Sequence, residues 1–399
     1  MIIKPSIRSN VFLNSHPKGS EKYIDLLFKE ASELEKFKGP RNVLIIGGSS
    51  GYGLSTRVAL VESCSSNTIN VSFEASPRGK RTGTAGFYNN INFQKKISDR
   101  DSKHIDFVAD AFSFNTKEKV ARAIKENFGK IDLLVYSLAA GARPNNETGT
   151  LVRSSLKPVH SSLEGETIDV ATKTVKKIFV EKATKEEIDN TVFVMGGSDW
   201  SDWVNFLEKK QLLNSGFKTI SYTYVGSGSM DKIYRSGTIG KAKDHLEDTA
   251  LLLNEMISKK LNGEALISSS KAVVTKASVF IPGIPAYVSA LFDVMKRKGL
   301  HETTLQHKHR LFKDMVYGNK RITDEKNRIR VDHYEMQKDV QEDTLKLLKE
   351  KTNNLFEIKG TKNFIDEFYN IHGFRFDNVD YDEDLETENY DLKGLNIIM

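Results

Sequence analysis

The chain alternates short apolar runs with longer segments in which apolar residues recur every three or four positions. The short runs predict buried strands at 42–46, 68–73, 104–109, 131–138, 218–225 and 269–274. The periodic segments predict a helix from Leu54 onward and further helices near 116–128, 185–191, 201–210 and 239–261. We expect Thr116 to cap the second of these helices. This alternation predicts an α/β fold with a doubly wound parallel sheet.

Composition limits the class of protein. With 39% apolar and 28% charged residues, the chain is typical of a globular protein and excludes disorder, a collagen and a coiled coil. Its single cysteine, Cys64, cannot form an internal disulfide, and its amino terminus lacks the apolar run of a signal peptide, so we expect a cytoplasmic protein. Two prolines, a glycine and an aspartate interrupt the most apolar stretch, 277–295, which argues against a membrane span.

Charge and histidine content indicate neither nucleic acid nor metal. The net charge of +6 is mild and spread along the chain, which favours acidic ligands or partners. The basic runs at 296–298 and 307–310 lack interleaved aromatic residues. His307 and His309 have the spacing of a metal pair, but no cysteine or carboxylate clusters beside them in the sequence. We therefore interpret them as part of a basic, solvated face and expect no metal site.

A glycine-rich turn follows the first predicted strand. It reads Gly47-Gly48-Ser49-Ser50-Gly51-Tyr52-Gly53 and precedes a helix, so bare backbone would let a pyrophosphate reach the N–H groups at the helix start. The spacing is the short-chain dehydrogenase variant of the dinucleotide fingerprint. Many tight turns carry such glycines, but Glu74 ends the second strand about 20 residues later, where a carboxylate can accept hydrogen bonds from the adenosine ribose.

The same carboxylate favours NADH over NADPH, because its charge would repel a 2′-phosphate. Arg78, Lys80 and Arg81 follow closely and could approach that phosphate if their loop folds back, so the alternative stays open. Asp110-Ala111 and Leu138-Ala139 follow the third and fourth strands, at the sheet edge where ligands bind. For Asp110, a simple helix or turn cap is the competing interpretation.

A tyrosine and a lysine, Tyr234 and Lys243, stand nine positions apart. Nine steps of about 100° would place them on opposite faces of one helix, so they can meet only if Tyr234 precedes the helix. Residues 236–238, Ser-Gly-Thr, supply that break. A nearby ammonium favours ionisation of a phenol and makes it a better proton donor to an enolate. Chance is the competing explanation for this pair, and Tyr224 at the end of the fifth strand could touch a substrate carbonyl or merely pack.

Eight segments together match one known family. They are Met1 to Pro5, Gly48 to Gly53, Gly83 to Gly86, Val135 to Ala139, Val194 to Gly197, Tyr234 to Lys243, Lys271 to Thr275 and Phe364 to Tyr381. With them the chain resembles the NADH-dependent trans-2-enoyl-ACP/CoA reductases of the FabV type. The residues implied to contact NAD are Gly48, Ser49, Ser50, Gly51, Tyr52, Gly53, Phe73, Glu74, Asp110, Ala111, Leu138, Ala139, Lys243, Val273, Val274 and Thr275.

The resemblance also implies the reaction. Hydride from NADH would reduce the carbon–carbon double bond of a trans-2-enoyl thioester, carried by acyl carrier protein or coenzyme A, in the last step of fatty acid elongation. Tyr234 would donate the proton with Lys243 lowering its pKa, Tyr224 would contact the substrate, and Glu74 would disfavour NADPH. The basic runs could meet the carrier's phosphates or acidic surface, and we expect a monomer.

Two alternatives compete with this function. Reduction of a 3-ketoacyl or other carbonyl substrate would use the same residue types, but the Tyr-x3-Lys pair typical of such enzymes is absent at this site. A non-catalytic NADH-binding sensor would not need both Tyr234 and Lys243.

The resemblance further implies an enlarged Rossmann fold of the short-chain dehydrogenase type. We expect a single domain over residues 1–399, with the Rossmann core at about 40–280. A helical segment at about 277–318 would cover the substrate. A C-terminal helical extension at about 319–399, ending in an acidic stretch at 380–388, would wrap on the main body.

Overall fold

A computed structural model describes residues 1–138, 140–226, 228–231, 234–351, 354–386 and 390–398. The strands are β1 (Ile7–Arg8), β2 (Val11–Phe12), β3 (Asn42–Ile46), β4 (Asn67–Ser72), β5 (His104–Val108), β6 (Ile131–Tyr136), β7 (Ala142–Asn145), β8 (Thr150–Arg153), β9 (Leu163–Asp169), β10 (Thr174–Val180), β11 (Leu213–Thr223), β12 (Glu264–Ser269), β13 (Ile329–Arg330) and β14 (Leu395–Ile397).

The α-helices lie mainly between the strands of the central sheet. They are α1 (Pro17–Ser32), α2 (Gly51–Cys64), α3 (Ala85–Lys96), α4 (Phe114–Asn127), α5 (Lys185–Met195), α6 (Ser198–Lys209), α7 (Thr238–Leu261), α8 (Ile284–Arg297), α9 (Thr304–Arg310), α10 (Lys338–Glu350) and α11 (Lys359–Asn370). Short 3₁₀ turns lie at Gly228–Met230, Ser278–Phe280, Val331–Tyr334 and Leu355–Glu357, and a π-helical turn at Leu311–Val316 follows α9.

The central sheet has eight strands in the order β13-β12-β11-β6-β3-β4-β5-β14. Every neighbouring pair in it is parallel. The inner order is that of a doubly wound dinucleotide-binding sheet, so the predicted fold class is confirmed. In β3, Leu44 and Ile46 pack on one face of the sheet while Val43 and Ile45 pack on the other. Burial on both faces explains why this strand is apolar without alternation.

Several predicted boundaries differ from those of the structure by a few residues, and two of them change the interpretation. The strand expected at 269–274 lies earlier in the chain, because β12 ends at Ser269 and residues 270–275 form a loop beyond its carboxyl end. Side chains bind the backbone of this loop in place of a neighbouring strand: Tyr52 donates to the Lys271 carbonyl at 2.6 Å and Glu335 accepts the Ala272 N–H at 2.6 Å. Its apolar residues are therefore a sign of burial and not of strand pairing.

The second wrong boundary is the start of α4. The helix begins at Phe114 after Ser113 in an extended conformation, and Thr116 lies buried in its first turn. Thr116 therefore does not cap this helix.

Some elements were not predicted. Two antiparallel hairpins, β7 with β8 and β9 with β10, occupy residues 142–180 between β6 and α5. The acidic stretch meets the amino terminus, where Asp384 pairs with the Met1 amino group and Glu383 with Lys18 at 2.5 Å. Beyond it, β14 adds to the sheet edge beside β5.

No helix among the described residues combines the length and apolar character that a membrane crossing requires.

A buried ion pair holds α2 against the sheet. Arg57 of α2 donates to Asp106 of β5 at 2.6 Å, and both side chains are fully buried. Asp106 also accepts from Asn70 at 2.7 Å and from Gln94 at 2.6 Å, while the guanidinium lies 3.6 Å from the centre of the Phe93 ring. Each charge is thus compensated, as burial requires.

We predict that Arg57→Met lowers the free energy of unfolding by roughly 3–5 kcal/mol, because it leaves the Asp106 carboxylate buried and unpaired. Urea unfolding followed by circular dichroism measures this loss. The matched control is Lys95→Met, which removes an exposed pair with Glu21 and should change stability little. Equal stabilities of the two variants would contradict the role given to the buried pair.

Candidate functional site

The glycine turn joins β3 to α2 with its backbone bare. Gly47 has φ +90° and Gly51 φ +55°, conformations that favour glycine. A Cβ on Gly53 would lie 2.0 Å from the Gly47 carbonyl oxygen, so no larger residue fits there without a shift of the turn. Asn70 accepts the Gly48 N–H at 2.8 Å and secures the turn from below. The first N–H groups of α2 form the kind of site that binds a phosphate.

Phe73 and Glu74 follow β4 beside this turn. The Phe73 side chain is 81% exposed, which is unusual for an aromatic residue and leaves its ring free to contact a ligand. Glu74 accepts from Ser49 at 2.6 Å and also from Thr84, and Lys276 lies 3.7 Å from its carboxylate. A negative charge therefore stands beside the turn.

The loop after β12 covers the turn from above. A Cβ on Gly51 would lie 3.3 Å from Thr275 Cγ2, so the segment Val273 to Thr275 lies close to the glycines. Thr275 and Ser278 exchange hydrogen bonds between side chain and backbone, at 2.9 and 3.0 Å, which fixes the loop. The predicted segments at Gly48 to Gly53 and at Val273 to Thr275 thus meet.

The residues after β5 and β6 lie at the same edge of the sheet. Asp110 accepts the Phe112 N–H at 2.9 Å, so it does serve as a turn cap, and its side chain is only partly buried. Ala111 is buried, and Leu138 is partly buried against the core. The predicted residue Ala139 lies outside the described residues.

Tyr234 precedes α7, as the spacing requires. Its segment turns back at Gly237, and α7 begins at Thr238. Arg235 pairs with Glu247 at 2.9 Å and with Asp244 at 2.7 Å, which holds this turn onto the helix. A Cβ on Gly240 would lie 2.1 Å from the Arg235 carbonyl oxygen, so the turn and the helix are in close contact. Lys243 donates to the Tyr222 carbonyl at 2.9 Å.

The ionisation of this pair differs from the expectation. Burial raises the pKa of Tyr234, and the cation that opposes this shift is Arg235 rather than Lys243. Burial also lowers the pKa of Lys243 to about 8, partly opposed by Glu247. The effect of Lys243 on the Tyr234 pKa is therefore not visible in this structure. At neutral pH the phenol keeps its proton and the amine is mostly charged.

Tyr224 packs edge-on against Tyr234, with ring centres 4.8 Å apart. Both side chains are 7% exposed and belong to one apolar cluster with Val274 and Ile281. A Cβ on Gly226 would lie 2.7 Å from the Tyr224 ring, so glycine at φ +72° makes room for this ring. The structure thus brings both predicted tyrosines into one buried site at the carboxyl edge of the sheet.

Sequence analysis missed a buried carboxyl behind these tyrosines. Glu335 accepts from Tyr224 at 2.9 Å and from Tyr287 at 2.8 Å. It lies more than one hundred positions after Tyr224, and no local pattern marks it. Its contact with the site arises only in the folded chain.

The histidines were interpreted wrongly as part of a solvated face. His307 is fully buried and accepts the Lys271 N–H at 3.1 Å, and His309 is also buried. Within the described ranges no group of three potential metal ligands occurs. In the other basic run, Lys298 pairs with Asp339 at 2.7 Å and Arg297 with Asp293 at 2.7 Å, so these charges already have partners.

Three family profiles match successive parts of the chain. Residues 2–79 match the NAD(P)H binding domain of trans-2-enoyl-CoA reductase, and residues 81–317 match the catalytic region of trans-2-enoyl-CoA reductase. Residues 323–385 match a profile described as the enoyl reductase FAD binding domain. That last segment forms β13, which joins the edge of the central sheet, and α10 and α11, whose apolar residues pack with α8; its described part shows no glycine turn between a strand and a helix. These residues do not fit a flavin, and we derive no step through one.

Similar proteins cover nearly the whole chain. The trans-2-enoyl-CoA reductase [NADH] of Clostridium beijerinckii is 41% identical over 97% of this chain and 98% of its own length. The enoyl-[acyl-carrier-protein] reductase [NADH] 2 of Photobacterium profundum is 40% identical, again over 97% and 98%. The structure of Clostridium acetobutylicum trans-2-enoyl-CoA reductase in complex with NADH superimposes with a TM-score of 0.95, at 40% identity over 97% of this chain and 98% of that one.

We predict that Gly53→Ala weakens NADH binding by roughly tenfold or more, because the new Cβ would push the turn away from the phosphates. Fluorescence titration with NADH measures the dissociation constant. The control is Gly165→Ala in β9, where the nearest atom would lie 3.9 Å away and affinity should not change. An unchanged affinity in Gly53→Ala would contradict the close approach inferred for this turn.

Proposed function

The chain belongs to the family of NADH-dependent trans-2-enoyl-CoA reductases, and on that premise we propose which of its residues bind and reduce the substrate. The reaction is reduction of the carbon–carbon double bond of a trans-2-enoyl thioester. NADH supplies the hydride. The observation that carries the residue roles is the contact between Tyr224 and Tyr234 in a buried site beside Lys243.

The cofactor is held by the edge of the sheet around the glycine turn. In our proposal the backbone from Gly48 to Gly53 binds the pyrophosphate, and Phe73 and Glu74 contact the adenosine end. Two observations support this assignment. A Cβ on Gly53 would lie only 2.0 Å from the Gly47 carbonyl oxygen, so the turn requires bare backbone there, and the Phe73 ring is exposed. The remaining NAD contacts are proposed for Asp110, Ala111, Leu138, Ala139, Lys243, Val273, Val274 and Thr275.

The tyrosines act on the charge that appears on the thioester oxygen. When hydride reaches the β-carbon, negative charge develops on that oxygen, and the hydroxyls of Tyr224 and Tyr234 are proposed to stabilise it. Burial raises the pKa of Tyr234, so its proton stays on the hydroxyl until the strongly basic enolate forms. Tyr234 then transfers this proton to the enolate, the proton ends on the α-carbon of the saturated thioester, and the remaining phenolate takes up a proton from solvent.

Lys243 is proposed to position the nicotinamide ribose and to place a positive charge in the site. Its amine is fixed by the Tyr222 carbonyl, two residues before Tyr224. With its pKa lowered by burial to about 8, it is charged at neutral pH and can donate hydrogen bonds to ribose hydroxyls.

We further propose that both coenzyme A and acyl carrier protein thioesters serve as substrates, because relatives named for each carrier are 41% and 40% identical to this chain. The chain is proposed to form one domain, since the strands of the central sheet come from segments between residues 42 and 397. The monomeric state and cytoplasmic location expected from the sequence complete this proposal, and sedimentation of the purified protein tests the former.

We predict that Tyr234→Phe lowers kcat for crotonyl-CoA by about 100-fold or more, because it removes the donor to the enolate. NADH affinity should stay nearly the same. Stopped-flow and steady-state NADH oxidation at 340 nm measure the rates, and fluorescence titration measures the affinity.

The matched control for this variant is Tyr317→Phe. The Tyr317 hydroxyl is buried without a hydrogen-bond partner and lies near Asp132 and Glu264, at the amino ends of β6 and β12. It is thus at the opposite edge of the sheet, and its loss should leave turnover unchanged. Full turnover in Tyr234→Phe would remove Tyr234 from the mechanism.

We predict that Glu74→Gln raises kcat/KM for NADPH by roughly tenfold, because it removes a like charge from the 2′-phosphate and leaves Lys276 free to pair with it. Steady-state rates with NADH and NADPH check this. The control, Glu62→Gln, removes a carboxylate that lies near the end of helix α2 and pairs with Arg100. If NADPH use is unchanged, Glu74 does not select the cofactor by charge.

A further inference from the structure

The carboxyl group of Glu335 is fully buried directly behind Tyr224. One oxygen, Oε1, accepts hydrogen bonds from Tyr224 at 2.9 Å and from Tyr287 at 2.8 Å. The other oxygen, Oε2, accepts the Ala272 N–H at 2.6 Å. The group therefore joins the end of β11, the loop beyond β12, helix α8 and the segment before α10. Such a carboxyl is either a bound anion or, when protonated, a donor to one of its neighbours.

Gln341 decides which neighbour can accept. Its side-chain amide N–H donates to the Tyr287 hydroxyl oxygen at 3.1 Å and to the Glu335 backbone carbonyl at 2.7 Å. The Tyr287 hydroxyl has two acceptors within reach, Glu335 Oε1 at 2.8 Å and Gln341 Oε1 at 3.4 Å, and the much shorter contact directs its hydrogen to Glu335. The other oxygen, Oε2, faces the Ala272 N–H, which is a donor and cannot accept a proton from Glu335. Tyr224 is therefore the neighbour placed to accept a proton held on Glu335.

The two forms of Glu335 orient Tyr224 differently. When Glu335 is ionised, the Tyr224 hydroxyl hydrogen points to the carboxylate, and its oxygen lone pairs face the site. An enolate oxygen would then meet lone pairs and not a donor. When Glu335 is protonated, it donates to Tyr224, and the Tyr224 hydrogen is released for the thioester oxygen.

The surroundings make both forms available near neutral pH. Burial raises the pKa of Glu335 to about 7, against the lowering effect of its hydrogen bonds from Ala272, Tyr287 and Tyr224. Asp332 raises it further, although that carboxylate is paired with Arg330 at 2.8 Å. Lys271 beyond β12 and Tyr52 on α2 also interact electrostatically with Glu335, and the Lys308 amine lies 4.1 Å from the centre of the Tyr52 ring.

We propose that Glu335 is a positioning residue that, in its protonated form, turns the Tyr224 hydroxyl into a hydrogen-bond donor for the thioester oxygen. This inference rests on the proposed roles of Tyr224 and Tyr234. It adds a residue from the C-terminal segment to the site and explains why the carboxyl is buried beside substrate-facing tyrosines. It also makes the reaction dependent on the proton held by Glu335.

The test is the pH dependence of kcat/KM for crotonyl-CoA between pH 6 and 9, at saturating NADH. In Glu335→Gln the amide oxygen faces the Ala272 N–H, so the amide nitrogen faces Tyr224 and donates to it at every pH. We expect the wild type to lose activity with a midpoint near pH 7 and to be roughly tenfold below its plateau at pH 8. The variant should keep its activity up to the range where Lys243 loses its charge, near pH 8.

Two further variants separate this role from general disruption. Tyr287→Phe removes a hydrogen bond that lowers the Glu335 pKa, so the midpoint should move to higher pH. Glu367→Gln alters another carboxyl whose pKa is raised by burial, and it should leave the profile as in the wild type. Thermal unfolding and NADH titration establish that each variant is folded and binds cofactor.

The outcomes separate the two proposals. If wild type and Glu335→Gln have superimposable pH profiles while Tyr234→Phe remains inactive, the role of Glu335 is overturned and the proposed function stands. If the midpoint near pH 7 in the profile of kcat/KM disappears in Glu335→Gln and moves to higher pH in Tyr287→Phe, the role proposed for Glu335 is supported. Full turnover in Tyr234→Phe overturns the proposed function and, with it, this inference.

Discussion

All eight strands of the central sheet run parallel, and their carboxyl ends therefore lie along one edge. This constraint brings together segments that are far apart in the chain. The residues that leave the sheet at this edge are those of the glycine turn after β3, Phe73 and Glu74 after β4, Asp110 after β5, Leu138 after β6, Tyr224 after β11 and Val273 to Thr275 after β12. A single geometric rule thus places the glycine turn, which we propose as the cofactor site, at the same edge as the two tyrosines that we propose to act in the reaction.

The chemistry of this edge depends on burial. A polar group that has lost its contact with water needs a partner or a shifted ionisation, and the site shows both responses. Tyr234 keeps its proton, Lys243 has its pKa lowered, and Glu335 has its pKa raised. In each case desolvation is the largest cause. Burial therefore sets the ionisation on which the proposed roles of these residues depend.

A second layer of buried polar residues holds the loops of the site. His307 and Lys308 of α9 bind the backbone N–H of Lys271 and the hydroxyl of Ser270, so they support the loop beyond β12 from behind. On the other side of the cradle, the pair of Arg57 and Asp106 joins α2 to the sheet. The loops proposed to bind the cofactor are thus fixed by buried polar side chains whose hydrogen-bond partners lie inside the protein.

Local sequence pattern was sufficient for most of the fold and for the glycine turn of the candidate site. The apolar run of β3, the glycines after it and the break at 236–238 before α7 each reflect contacts between near neighbours in the chain, so they can be predicted from the sequence. The roles assigned to individual residues came from family resemblance. Tertiary structure alone decided the rest: residues 271–274 are buried without being a strand, His307 and His309 are internal, and Glu335 reaches Tyr224 across more than one hundred positions. The physical reason is that burial and long-range hydrogen bonds depend on which segments the sheet edge brings together, and no local periodicity records that.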